Sequence, residues 1–139
     1  MVSLNIDAST PLKSLIQATT TDTTIYVNGA LPSSNLPEEF ILIEPNGGIR
    51  TMATKFGNAL CTIAVSLYVK LLTTGQTNTV KEDILIGKFQ SLFADSISTT
   101  SGDDKFLYEL GSNPVVYSGR SLVSGYSTKV INVNCFINY

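Results

Sequence analysis

An alternation over residues 59–72 limits most strongly what this chain can fold into. Cys61, Ile63, Val65, Leu67, Val69 and Leu71 fall on one phase, and Thr62, Ala64, Ser66, Tyr68 and Lys70 on the other. A period of two marks a β-strand with one buried face, because successive side chains leave a pleated backbone on opposite sides. Fourteen residues is well beyond the usual strand length of about five or six. Part of this strand is therefore expected to project past the core or to meet another subunit. A second alternation closes the chain, with Ile131, Val133, Cys135, Ile137 and Tyr139 set against Asn132, Asn134, Phe136 and Asn138. A strand of this kind ties the last residues into the sheet.

Two segments change to a helical period. Thr10 can cap a helix with Pro11 at its first position, and Leu12, Leu15 and Ile16 then share one face until the Thr-rich run at 19–24 ends it. Thr79-Val80-Lys81-Glu82 has the form of a capping box, in which the Thr79 hydroxyl and the Glu82 side chain each satisfy the other's backbone amide. Leu85, Phe89, Leu92, Phe93 and Ile97 supply the apolar stripe that follows.

Shorter elements fill the intervals. A strand at 25–27 turns at Asn28-Gly29, a connector at 31–39 carries Pro32 and Pro37, and the apolar run at 40–43 suits an interior strand stopped by residues 45–48. Residues 49–58 read as a loop or hairpin arm, and 95–104 as a polar loop closing near Gly102. Short extended pieces at 106–110 and 115–117 are separated by the breaker Gly111-Ser112-Asn113-Pro114, and 118–125 is a Ser/Gly loop. There is no βαβ rhythm. The order predicts one α+β domain over residues 1–139, with a mixed or mainly antiparallel sheet and two helices packed on one face.

Composition supports a core and an unusual surface. Apolar residues make up 43% of the chain, but charged residues only 14%, against about a quarter in an average soluble protein. Thr, Ser and Asn must then cover the exterior. This suits a subunit that buries much of its surface in an assembly, or a monomer solvated by hydroxyls. The nine Lys and Arg residues are scattered and the net charge is −2, so no basic stripe supports nucleic-acid binding through phosphate contacts. No window approaches the roughly 20 apolar residues of a membrane span. The first eleven residues lack a basic stretch followed by an apolar run, so a soluble intracellular product is expected.

The chain contains no histidine. This removes the commonest general base and most metal-site chemistry, so no enzyme activity, cofactor or metal is expected. Glu38-Glu39 and Asp103-Asp104 read as solvated loop charge, and Asn46-Gly47-Gly48 lacks the lysine of a phosphate loop. Cys61 and Cys135 lie on apolar strand phases and are expected to pack as core. A bridge between them is sterically possible if their strands are neighbours, although the lack of a secretion signal argues for a reducing compartment.

Interaction residues are sought among loop-borne charges and aromatics that fall off the apolar phase. Arg50, Lys55 and Phe56 sit in the Gly-bounded segment 46–58, and Asp103 and Asp104 in 95–104. Tyr26, Tyr68, Tyr117, Tyr126, Phe56 and Phe136 are off-phase or loop-borne. Arg50, Lys55, Phe56, Tyr68, Asp103 and Asp104 are the candidate subunit or ring interface.

Residues 40–44, the run "TIAVSLYVKLL", the helix after Thr79 and the terminal "KVINVNCFINY" together resemble the tail terminator and neck proteins of tailed bacteriophages, over residues 11–139. The resemblance lies in element order and strand texture. The Thr-rich segment and the Ser/Gly stretch before the last strand depart from that pattern. It implies a structural virion protein, made and assembled in the host cytoplasm, that forms a six-fold or twelve-fold ring at the head-tail junction or tail end. Its partners would be further copies of itself and other neck, portal or tail proteins, with DNA passing through without sequence-specific binding and with no membrane involved. Two other classes stay open: a cytosolic adaptor that binds peptides at a sheet edge, and a small-molecule-binding domain with a pocket between sheet and helices.

Overall fold

The computed structural model describes residues 6–19, 23–28, 30–51, 59–110, 116–119 and 123–138. In chain order the elements are α1 (Ser9–Thr19), β1 (Thr24–Val27), β2 (Glu39–Pro45), β3 (Arg50–Thr51), β4 (Ala59–Lys70), α2 (Thr79–Leu92), β5 (Ile97–Ser101), β6 (Asp104–Glu109), β7 (Val116–Ser118) and β8 (Tyr126–Ile137).

The two alternating segments pair with each other. β4 and β8 run antiparallel along all twelve residues, from Ala59 opposite Ile137 to Lys70 opposite Tyr126. The length of β4 is thus satisfied within the chain, which corrects the expectation that part of it projects beyond the core. β2 and then β3 occupy the far side of β4, and β6 and then β7 the far side of β8. Among the described residues only β1 runs parallel to its neighbour, β2. The result is a mixed sheet with the spatial order β1-β2-β4-β8-β6-β5.

Asn46-Gly47-Gly48 does not end the line of β2 but bulges it. Between the pairs Pro45–Ile63 and Arg50–Leu60 the chain takes five steps on one side against three on β4, with Gly47 at φ +92 absorbing the extra length. Residues 97–101, expected as part of a polar loop, form an edge strand hairpinned to β6, with Gly102 at φ +61 in the turn. Ile97 is the one apolar residue of this strand, so no alternation marks it. The β-branched Thr99 and Thr100 are its only local signal.

Both helices cover the same face of the sheet. Leu12 and Ile16 of α1 and Leu85 and Phe89 of α2, with Phe93 just beyond it, join Ile41, Ile43, Ile63, Val65, Ile131 and Val133 in one buried core. α1 begins at Ser9, two residues before the expected start. Its cap is the Asp7 carboxylate, which accepts hydrogen bonds from the amides of Ser9 (3.0 Å) and Thr10 (3.2 Å), and Pro11 falls within the first turn, where its missing N–H costs nothing.

α2 is capped one residue before the expected box. The Asn78 side chain accepts from the Lys81 amide at 3.2 Å. Glu82 does not turn back to Thr79; it is buried and accepts a 2.7 Å hydrogen bond from the Ser127 hydroxyl on β8.

Candidate interaction surface

The opposite face of the sheet carries a second, smaller core. Phe40, Leu42 and Tyr68 are buried there, with Tyr26, Leu31, Leu36 and Tyr126 packed against them. Tyr26 meets Phe40 edge-on at 5.6 Å, and the Tyr126 ring tilts over it at 5.4 Å. The Tyr126 hydroxyl donates to the Pro37 carbonyl at 2.7 Å, which fastens the proline-bearing connector over the cluster. Burial, together with the Glu38 carboxylate, raises the Tyr126 hydroxyl above its ordinary pKa. Tyr68 is therefore covered by its own chain and presents no surface to a partner, a correction to its place among the interface candidates. Its phase is off the helix-covered face, but that did not make it exposed, because the connector supplies a second cover.

The other candidates fall at one end of the sheet. Arg50, Leu60, Phe136, Leu107 and Ser98 are successive partners across five strands, and the next row, Thr51, Ala59, Ile137, Phe106 and Thr99, lies one step nearer that end. The β5–β6 turn with Asp103 and Asp104 projects beyond these rows. Arg50 and the two aspartates thus share an end of the sheet, whereas Lys55 and Phe56 lie outside the described residues. Asp103 is exposed. Asp104 has a structural role: it accepts from the Asn138 side-chain amide at 2.9 Å, while Asn138 accepts from the Lys105 amide (3.0 Å) and its own amide donates to the Lys105 carbonyl (2.7 Å). These bonds clamp the end of β8 to the start of β6.

Sequence reasoning missed an apolar patch at the start of α2. Val80 and Ile84, one turn apart, are 68% and 54% exposed, and Leu72 just before the helix is 44% exposed. Both helical residues fall one position short of the Leu85–Phe89 stripe, and that offset was the available signal. Beside them the Lys81 ammonium and the Glu38 carboxylate form an exposed 2.7 Å ion pair, which lowers the Glu38 pKa and raises that of Lys81.

The sheet is open. Its outermost strands are β1 and β5, and β5 carries no charged residue, proline or bulge to discourage pairing with another strand. A cleft of about 470 Å³ opens between the start of α1 and the β2–β4 region, lined by Asp7, Ser9, Asn28, Glu44, Ile49 and Cys61 among others. The Ser9 hydroxyl there is buried without a hydrogen-bond partner. No helix among the described residues is long and apolar enough to cross a membrane.

No protein-family model matches the chain, and no curated protein matches it. A solved structure whose name describes no function superposes with a TM-score of 0.59 over 94% of this chain and 90% of its own, at 11% identity. At that identity the likeness is one of fold.

Proposed function

We propose that the chain is a structural subunit that assembles with copies of itself into a ring at the head-tail junction or tail end of a tailed phage. The observation that carries this reading is an open sheet with two short outer strands, one of them uncharged, on a chain whose exterior is poor in charge. Two different edge strands on one subunit suit a head-to-tail contact, and a head-to-tail contact whose rotation closes generates a ring. The exposed Leu72, Val80 and Ile84 offer apolar area for neighbours, and the exposed Asp103, at the same sheet end as β3, offers charge for an adjoining ring. The element order supports the resemblance to terminator and neck proteins.

Native mass spectrometry of the purified chain, with electron microscopy of particles that contain it, tests the proposal. Six or twelve copies per closed assembly are expected. A single copy per particle would end it. Reversing the charge at Arg50 and Lys55 is expected to block assembly while leaving the subunit's Tm unchanged.

A second reading, a small-molecule-binding domain, is favoured by the cleft at Asp7, Ser9 and Cys61. A ligand co-purifying with a strictly monomeric chain would support it over the ring.

A further inference from the structure

Cys61 on β4 and Cys135 on β8 are direct register partners in adjacent antiparallel strands. Side chains of directly opposed residues leave the sheet on the same face. Their Cα atoms in such a pair stand about 4.5–5.5 Å apart, inside the range of about 4.4–6.8 Å that a disulfide bridges. Tyr108 on β6 is the register partner of Cys135 on its other side, and its hydroxyl donates to the Ala8 carbonyl at 2.7 Å. Cys135 is thus enclosed between Cys61 and Tyr108, with no exposed surface. Cys61 differs: it keeps 7% exposure and lines both the 470 Å³ cleft and a smaller one beside Asn46, Gly47 and Gly48.

We propose that Cys61 and Cys135 form a two-thiol oxidation site, in which Cys61 reacts with a hydroperoxide entering through the cleft and Cys135 resolves the product into a cross-strand disulfide. The Cys61 sulfur attacks one peroxide oxygen, the O–O bond breaks, and the released alkoxide or hydroxide takes up a proton. Cys61 is then a sulfenic acid. The Cys135 sulfur attacks the Cys61 sulfur, the S–O bond breaks, and the hydroxyl departs as water with the Cys135 proton. Two thiols are oxidised to one disulfide, and one peroxide is reduced to alcohol and water.

The order of reaction follows from the surroundings. The neighbouring Cys135 thiol lowers the Cys61 pKa against the opposing effect of burial, which favours the nucleophilic thiolate. The same contact, with burial, raises the pKa of Cys135 and keeps its proton in place until resolution. The site does not depend on the ring reading.

The test uses the reduced, full-length chain treated with hydrogen peroxide. Intact mass is expected to fall by two hydrogens, and peptide mapping to join Cys61 to Cys135. Cys135→Ser should stop at a sulfenic acid that dimedone traps on Cys61, whereas Cys61→Ser should give no adduct. In the untreated wild-type chain, iodoacetamide should label Cys61 at least about tenfold faster than Cys135, a readout that does not depend on either variant folding. Wild-type chain that retains both thiols, stops at a sulfenic or sulfinic acid on Cys61 with Cys135 still free, or is alkylated first at Cys135 would overturn the proposal.

Discussion

The rings of Phe40 and Tyr68 lie 4.6 Å apart and within 8° of parallel, on the face of the sheet away from the helices. A stacked, fully buried aromatic pair there means that this face is packed by the chain itself. Tyr68→Ala is expected to cost about 3–5 kcal/mol, the range for truncating a large buried aromatic. Urea denaturation would measure this. A loss below about 1 kcal/mol would return Tyr68 to the surface.

The start of α2 separates two residues that look equivalent in sequence. Asn78→Ala removes the acceptor for the Lys81 amide and is expected to cost about 1 kcal/mol, a shift in Tm of roughly 3–5 °C. Thr79→Ala should leave Tm almost unchanged, because its neighbour holds the cap. A larger loss at Thr79 than at Asn78 in thermal melts would reverse the assignment.

Burial opposes ionisation of Asp7, but hydrogen bonds from the Thr10 hydroxyl and amide, the Asn28 side chain and the Ser9 amide outweigh it and hold the carboxyl below its ordinary pKa. A group with a depressed folded-state pKa contributes stability above its unfolded-state value and loses it as the pH falls through the folded one. The wild-type chain should therefore lose more stability than Asp7→Asn on acidification from about pH 5 to 2. Parallel pH profiles for the two chains would remove Asp7 from the acid response.

Val80→Glu combined with Ile84→Glu places two good helix formers at exposed positions, so the subunit's own Tm should hold within about 2 °C. If the start of α2 faces a neighbour in the proposed ring, assembly measured by light scattering should fall sharply. Unaltered assembly would remove this patch from the contact.

The candidate surface was only partly legible in sequence. Arg50 and Asp103 could be chosen as loop-borne charges, but their common place at one sheet end depends on the pairing of β3, β4, β8 and β6, which joins residues up to 78 positions apart in register. Asp104 looks like its neighbour in sequence. In the structure its hydrogen bond to Asn138 makes it a clamp. Val80 and Ile84 passed unnoticed because an apolar pair at the start of a helix reads as part of the core stripe unless the helix's rotation is known.

Local periodicity by itself determined that residues 59–70 and 131–137 are strands and which of their residues face the helix-covered core, whereas Asn138, at φ 53, lies beyond the last strand and Tyr139 lies outside the described residues. It also located both helices to within a residue or two of their starts. These follow from backbone geometry, since a pleated strand repeats every two residues and a helix every 3.6. Tertiary structure decided which strands are neighbours, and so that β4's length is matched by β8 and that Cys61 faces Cys135. It also decided that a proline-bearing connector would bury Tyr68 on the second face, and that Glu82 would bond to Ser127 across the core. None of this was available locally, because pairing and covering bring together residues distant along the chain, and the energy of those contacts exists only once they meet.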